Sequence, residues 1–154
     1  MLRGTPSQLY RLYWTGRYLE RIDLTSRSLL AALSSASPEE ALAGLARSLG
    51  REYGGLWGFL EDVLYGREGS LVHAARMIRL NLMGLGSERL SREANMLVLL
   101  AENRVERSLD SVRSHLQDIL SAALRLGEVL EAELTVPPTP PAEKLREQLM
   151  HQQQ

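Results

Sequence analysis

The chain has 154 residues, of which 44% are hydrophobic and 24% charged, enough apolar material for one domain with a core and too little charge imbalance for disorder. A formal net charge of -1 excludes a global basic field for nucleic acid. The absence of cysteine excludes a disulfide framework, a thiolate nucleophile and a zinc ribbon, and it fits a reducing cytoplasm.

Met1 to Pro6 carries no apolar signal-peptide region. The longest apolar run, near Met96 to Ala101, is far short of the roughly 20 residues that a membrane helix needs. A cytoplasmic protein with neither membrane nor nucleic-acid partner is expected.

Thr5-Pro6 reads as a cap followed by proline at the first helical position, which opens helix 1 from Pro6 to about Ser34. Leu12, Leu19, Ile22, Ser26, Leu29, Leu30 and Leu33 recur at helical spacing and form its core stripe. Ser37-Pro38-Glu39-Glu40 has the pattern of a capping box and starts helix 2, which stops at Gly50. After Gly54-Gly55, a short helix 3 spans Leu56 to Tyr65, and Gly69-Ser70 starts helix 4 with the stripe Leu71, Ala74, Ala75, Ile78 and Leu82. Two glycines in Gly84-Leu85-Gly86-Ser87 would each cost roughly 1 kcal/mol inside a helix, so this segment reads as a turn. A kinked helix is the alternative.

Helix 5 is then expected to run unbroken from Glu88 to Leu134. Val98, Ala101, Val105, Leu109, Val112, Leu116, Ile119, Ala123, Leu126, Leu130 and Leu134 recur in steps of three and four along it. Val136 to Pro141 is proline-rich and reads as an extended linker, followed by a short helix or tail. The expected fold is an all-α helical bundle with two long amphipathic helices and two or three shorter ones, in a domain over 1–135 with a tail over 136–154. The uncovered end of the stripe at Leu130 and Leu134 points to a homodimer.

Two segments repeat a pattern of Glu-Arg, five residues, Arg: Glu20-Arg21 with Arg27, and Glu106-Arg107 with Arg113. Asp23 and Asp110 lie between. One reading makes Glu20, Asp23, Arg27, Glu106, Asp110 and Arg113 an ion-pair network where the two long helices meet. The other makes them a polar pocket that grips a carboxylate or phosphate through Arg27 and Arg113. Gly16 shares their flank and is expected to allow close helix approach. Tyr10, Tyr13, Trp14 and Tyr18 cluster on helix 1, where core or interface packing competes with an aromatic ligand or partner surface. His73 and His115 are isolated, with no Glu-x-x-His pair, and no phosphate loop is present. No metal or cofactor is expected.

Leu12-Tyr13-Trp14-Thr15-Gly16-Arg17-Tyr18-Leu19-Glu20-Arg21, continued by Arg27-Ser28-Leu29-Leu30, resembles the start of the bacterial alpha-E domain family. Gly69-Ser70-Leu71 with Ala74-Ala75-Arg76, and Leu90-Ser91-Arg92-Glu93, are similar to later segments of that family, with Asn95 where an aromatic is usual. Family members are about twice as long and repeat the Glu-Arg helix near the C-terminus. Here the second copy comes early, at Glu106-Arg107, without the Gly-Arg-Tyr lead-in, so the chain reads as a shortened or divergent member. The resemblance implies an all-helical protein that accompanies ATP-grasp-type ligases and transglutaminase-like proteins. An accessory or interaction protein of a peptide-ligating or peptide-modifying system is expected from it. The alternative is an enzyme of that system using the acid/Arg cluster.

Overall fold

The computed structural model describes residues 4–135. The proline-rich linker and the short helix expected after it lie outside the described residues. Among those described there are six helices and no strand: α1 (Pro6–Leu33), α2 (Pro38–Ser48), α3 (Leu56–Tyr65), α4 (Leu71–Met83), α5 (Glu88–Glu102) and α6 (Leu109–Thr135).

Side-chain caps set four of the helix starts, three of them ahead of the corner between α5 and α6. Thr5 Oγ1 accepts from the Gln8 amide at 3.2 Å. Ser70 Oγ accepts from the His73 amide at 3.0 Å, and Ser87 Oγ from the Leu90 amide at 3.3 Å. Each satisfies a donor that the first helical turn leaves free. Ser37 takes the expected N-cap position of α2, but its side chain makes no cap bond, so the expected capping box does not form. Glu39 of that segment instead accepts from the Tyr53 hydroxyl at 2.7 Å. The turn before Ser87 forms as expected, with Gly86 at a φ of 75°, a left-handed conformation that glycine adopts without strain.

The unbroken helix from Glu88 to Leu134 does not form. Asn103 leaves α5 in an extended conformation, and residues 103–108 turn the chain back. Ser108 Oγ then accepts from the Ser111 amide at 3.1 Å and opens α6. A straight helix over this span would be roughly 70 Å long, well past the roughly 42 Å of α1, and half its stripe would face water. Folding the span into a hairpin lets both arms bury that stripe. Leu90, Ala94, Leu97, Val98 and Ala101 are buried on α5, and Val112, Leu116, Ile119, Leu126 and Leu130 on α6. The bundle therefore has two long helices, α1 with 28 residues and α6 with 27, and four shorter ones.

α1 packs against α4 and α6, and α5 packs against the same two, so these four helices close around one core. α2 packs on α1 and α3, while α3 also meets α4 and α5. Ile22 and Leu29 of α1 share one buried cluster with Leu42, Leu60, Ile78, Leu82, Leu97, Leu116 and Leu126. Burying one such side chain stabilises the fold by roughly 1.5–3 kcal/mol. The α1 stripe follows its expected positions, with Leu12, Leu19 and Leu30 half-buried at the edges. Gly16 is not a point of close approach, since a Cβ added there would meet nothing within 4 Å. The stripe of α6 is covered as far as Leu130, and only Leu134, 47% exposed, stands open. The apolar surface expected to drive a homodimer is thus largely buried within one chain.

Candidate functional site

The antiparallel pairing of α1 and α6 separates the two Glu-Arg segments. Arg113, near the start of α6, donates to the Leu33 carbonyl at the end of α1 at 3.2 Å. Glu20 and Asp23 lie level with Leu124 and Gly127, toward the other end of α6. Within α1, Arg17 pairs with Glu20 at 3.3 Å and Arg27 with Asp23 at 2.9 Å. Within α6, Arg113 pairs with Asp110. Glu106 is in the α5–α6 loop and exposed. Five of the six residues therefore form local pairs along single helices, Glu106 stands in the loop, and the six fall in two separate places. Neither a network joining the two helices nor a single pocket assembles from all of them.

Each place borders its own open hollow of about 370 Å³. The first is lined by Leu19, Glu20 and Asp23 of α1 with Leu124, Gly127 and Glu128 among the residues of α6. The second is lined by Asn103, Glu106, Asp110, Ser111, His115 and Asp118, with Val105 and Ser114 completing it. His115 is only 4% exposed, and its buried Nε2 has no hydrogen-bond partner. Burial pushes its pKa below the ordinary imidazole value, while the Asp118 carboxylate acts in the opposite direction. The His115 ring lies 6.1 Å from that of Tyr65. The Tyr65 hydroxyl donates to the Asn103 carbonyl at 2.8 Å, and burial raises its pKa. Arg104 sits 4.1 Å over the Tyr65 ring and pairs with Glu61 at 2.6 Å, which fixes the loop against α3.

The sequence marks His115 as an isolated histidine, because the loop residues that surround it come together only through the hairpin. The Ser108 and Ser111 hydroxyls bond to one another at 2.8 Å, and His115 Nε2 bonds to neither, so no activated hydroxyl pairs with the imidazole. Among the described residues, no group of three or more His, Asp or Glu is placed to hold a metal ion.

The aromatic residues of α1 form a ladder on its surface. Ring centroids are 6.3 Å apart for Tyr10 and Trp14, 5.4 Å for Tyr13 and Trp14, and 6.1 Å for Trp14 and Tyr18. Tyr18 continues to His73 of α4 at 6.3 Å, and Arg21 lies 5.2 Å over the Tyr18 ring. Trp14 and Tyr18 are half-buried and anchor the ladder. Tyr10 and Tyr13 are 65% and 60% exposed, which takes them out of the core. Leu9 on α1 is also exposed, as are Leu80 and Met83 of α4, whose end meets α1 where Arg11 donates to the Leu80 carbonyl. Two tyrosines held by an anchored indole present apolar area at low entropic cost, as protein-binding surfaces commonly do. No protein-family model matches the chain, and no curated protein or solved structure matches it.

Proposed function

We propose that this protein is an accessory protein that holds a protein partner on the aromatic face of α1. The observation that carries this reading is the exposure of Tyr10 and Tyr13 beside the anchored Trp14. A solvent-exposed aromatic patch of this kind is favourable to bury against a second surface. Tyr13 and Trp14 also carry the resemblance to the alpha-E domain family, so the partner proposed is an ATP-grasp-type ligase or the peptide it works on, in the cytoplasm. No described helix is long and apolar enough to cross a membrane. Affinity capture from the native organism with the intact chain, followed by mass spectrometry, tests the proposal. A ligase or peptide-processing enzyme should be recovered, and the Tyr10→Ala/Tyr13→Ala variant should lose it. Recovery of no such protein, or equal recovery by the variant, overturns the reading.

A homodimer is the competing occupant of the same face. Light scattering at micromolar concentration separates the two, since a dimer that dissociates in the Tyr10→Ala/Tyr13→Ala variant would assign the face to a second copy. The enzymatic alternative draws on the hollow beside Glu106, Asp110 and His115. Loss of a ligase-system activity in Asp110→Ala or His115→Gln, with partner capture intact, would favour it.

A further inference from the structure

α5 and α6 enclose a third hollow, of about 470 Å³, with no residue of α1 in its lining. Arg89, Arg92, Glu93 and Met96 of α5 face Ala122, Arg125 and Val129 of α6 across it. Arg89 and Arg92 are three residues apart and share one face of the helix. Arg125 Nε donates to Glu93 at 3.1 Å. The lining thus carries three guanidinium groups against one carboxylate. Among the described residues Arg89 and Arg92 have no ion-pair partner, although seven other arginines do. Glu88 is the nearest further acid along the chain, and it lines a neighbouring hollow with Ser87, Ser91, Asn95 and Arg92, which borders both hollows. Arg89 also stands in the first turn of α5, where the helix dipole adds positive potential. Met96, Ala122 and Val129 supply an apolar wall, and Val129 is buried.

We propose that this hollow binds an amphipathic oxyanion, a carboxylate or phosphate group carried on a short apolar stem. Arg89 and Arg92 take the anion as forked donors, for which planar guanidinium groups are well shaped. Arg125, held by Glu93, adds charge from the opposite helix, and the stem lies over Met96, Ala122 and Val129. The volume falls within the range of small-molecule sites, roughly 300–1,000 Å³. The site is separate from the α1 face, and neither proposal depends on the other.

An NMR titration of the full chain tests it, with phenyl phosphate and benzoate as probes. Inorganic phosphate and benzyl alcohol serve as the anion-only and stem-only controls. One or both probes should give saturable shifts confined to residues around Arg89, Met96, Ala122 and Arg125, and the tighter of the two identifies the oxyanion. Binding should be about tenfold tighter than that of either control, and the Arg89→Gln/Arg92→Gln variant should weaken it by about tenfold, as loss of charge-assisted forks predicts. Both arginines are exposed, so the variant should keep the parent melting temperature. Absence of saturable shifts overturns the proposal. So do equal affinity in the variant, affinity for inorganic phosphate equal to that for the probes, or shifts spread over arginines elsewhere.

Discussion

Arg113 on α6 ties itself to Leu33 on α1 across 80 positions of sequence, through the 3.2 Å bond from its guanidinium to the Leu33 carbonyl. That carbonyl belongs to the last turn of α1, where four acceptors lack helical partners and a positive charge is favourable. Asp110 holds the same guanidinium from one turn away. Arg113 therefore locks the end of one long helix to the start of the other. Arg27 makes only a local, exposed pair with Asp23. Arg113→Ala should destabilise the fold by about 1–2 kcal/mol, since it removes a charge-assisted bond at a helix end. Arg27→Ala should change stability by no more than about 0.5 kcal/mol. Denaturant titration of both variants checks the contrast. Equal effects would mean that the two arginines share one role, as the Glu-Arg repeat suggests.

His115 makes stability depend on pH in the acid direction. In the unfolded chain its imidazole takes a proton near the ordinary value of 6.5, whereas burial lowers that value in the folded state. Between the two values the unfolded state binds more protons, so stability rises with pH across that window. The contribution is complete above about pH 6.5 and is lost as pH falls toward the lowered value. Asp118 opposes the shift, and Glu106 and Asp110 border the same hollow. Denaturation midpoints measured from pH 7.5 to 5 should fall for the parent chain. The fall should be shallower in His115→Leu, which keeps an apolar side chain in the site. An identical slope in the two would assign the acid sensitivity to other groups.

The helix starts were legible because caps and breakers act locally. Thr5-Pro6, Ser70 and Ser87 carry the side-chain chemistry that ends or opens a helix, and they do so where they stand. The corner between α5 and α6 was not legible. The steps from Val98 to Val112 continue through it unchanged, and Val105 in the loop still packs against the core. Periodicity cannot distinguish a straight helix from a hairpin whose two arms bury the same core. Asn103 and Ser108 are the only local signals, and both residue types also occur within helices. The acid/Arg residues misled for a related reason. Their equal spacing is a property of the sequence alone, since Glu106 and Arg107 fall in the corner before α6, while their meeting depended on the direction in which α6 runs. The hollow of Arg89, Arg92 and Arg125 was hidden in the same way, because the hairpin brings Arg125 to the face of α5.

Gly16 and Gly127 are interior helix positions at which a Cβ would meet no atom within 4 Å. Glycine in a helix interior costs roughly 0.5–1 kcal/mol relative to alanine, mainly through the freedom it adds to the unfolded chain. Gly16→Ala and Gly127→Ala should each raise stability by about that amount, and their sum should be nearly additive. Thermal melts of the two single variants and the double variant measure it. A loss of stability at Gly16 would show that this position supports a close approach after all.

The exposed tyrosines offer the cleanest separation of fold from function. Tyr10 and Tyr13 each place most of their surface in water, whereas Trp14 is half-buried between them and Tyr18 is packed against the core. Removing the exposed rings loses little burial, while truncating Trp14 removes the ring that the other three contact. Tyr10→Ser/Tyr13→Ser should therefore change stability by about 0.5 kcal/mol or less, the usual range for surface substitutions. Trp14→Ala should cost about 2 kcal/mol or more, toward the lower end for large aromatic truncations because the indole is only half-buried. If the double serine variant instead unfolds with the tryptophan variant, the ladder is a stabilising element of α1 and its exposure has no docking role. If it folds like the parent and loses the captured partner, the ladder contributes to binding alone. Denaturation curves run beside the capture experiment on the same protein preparations distinguish these outcomes.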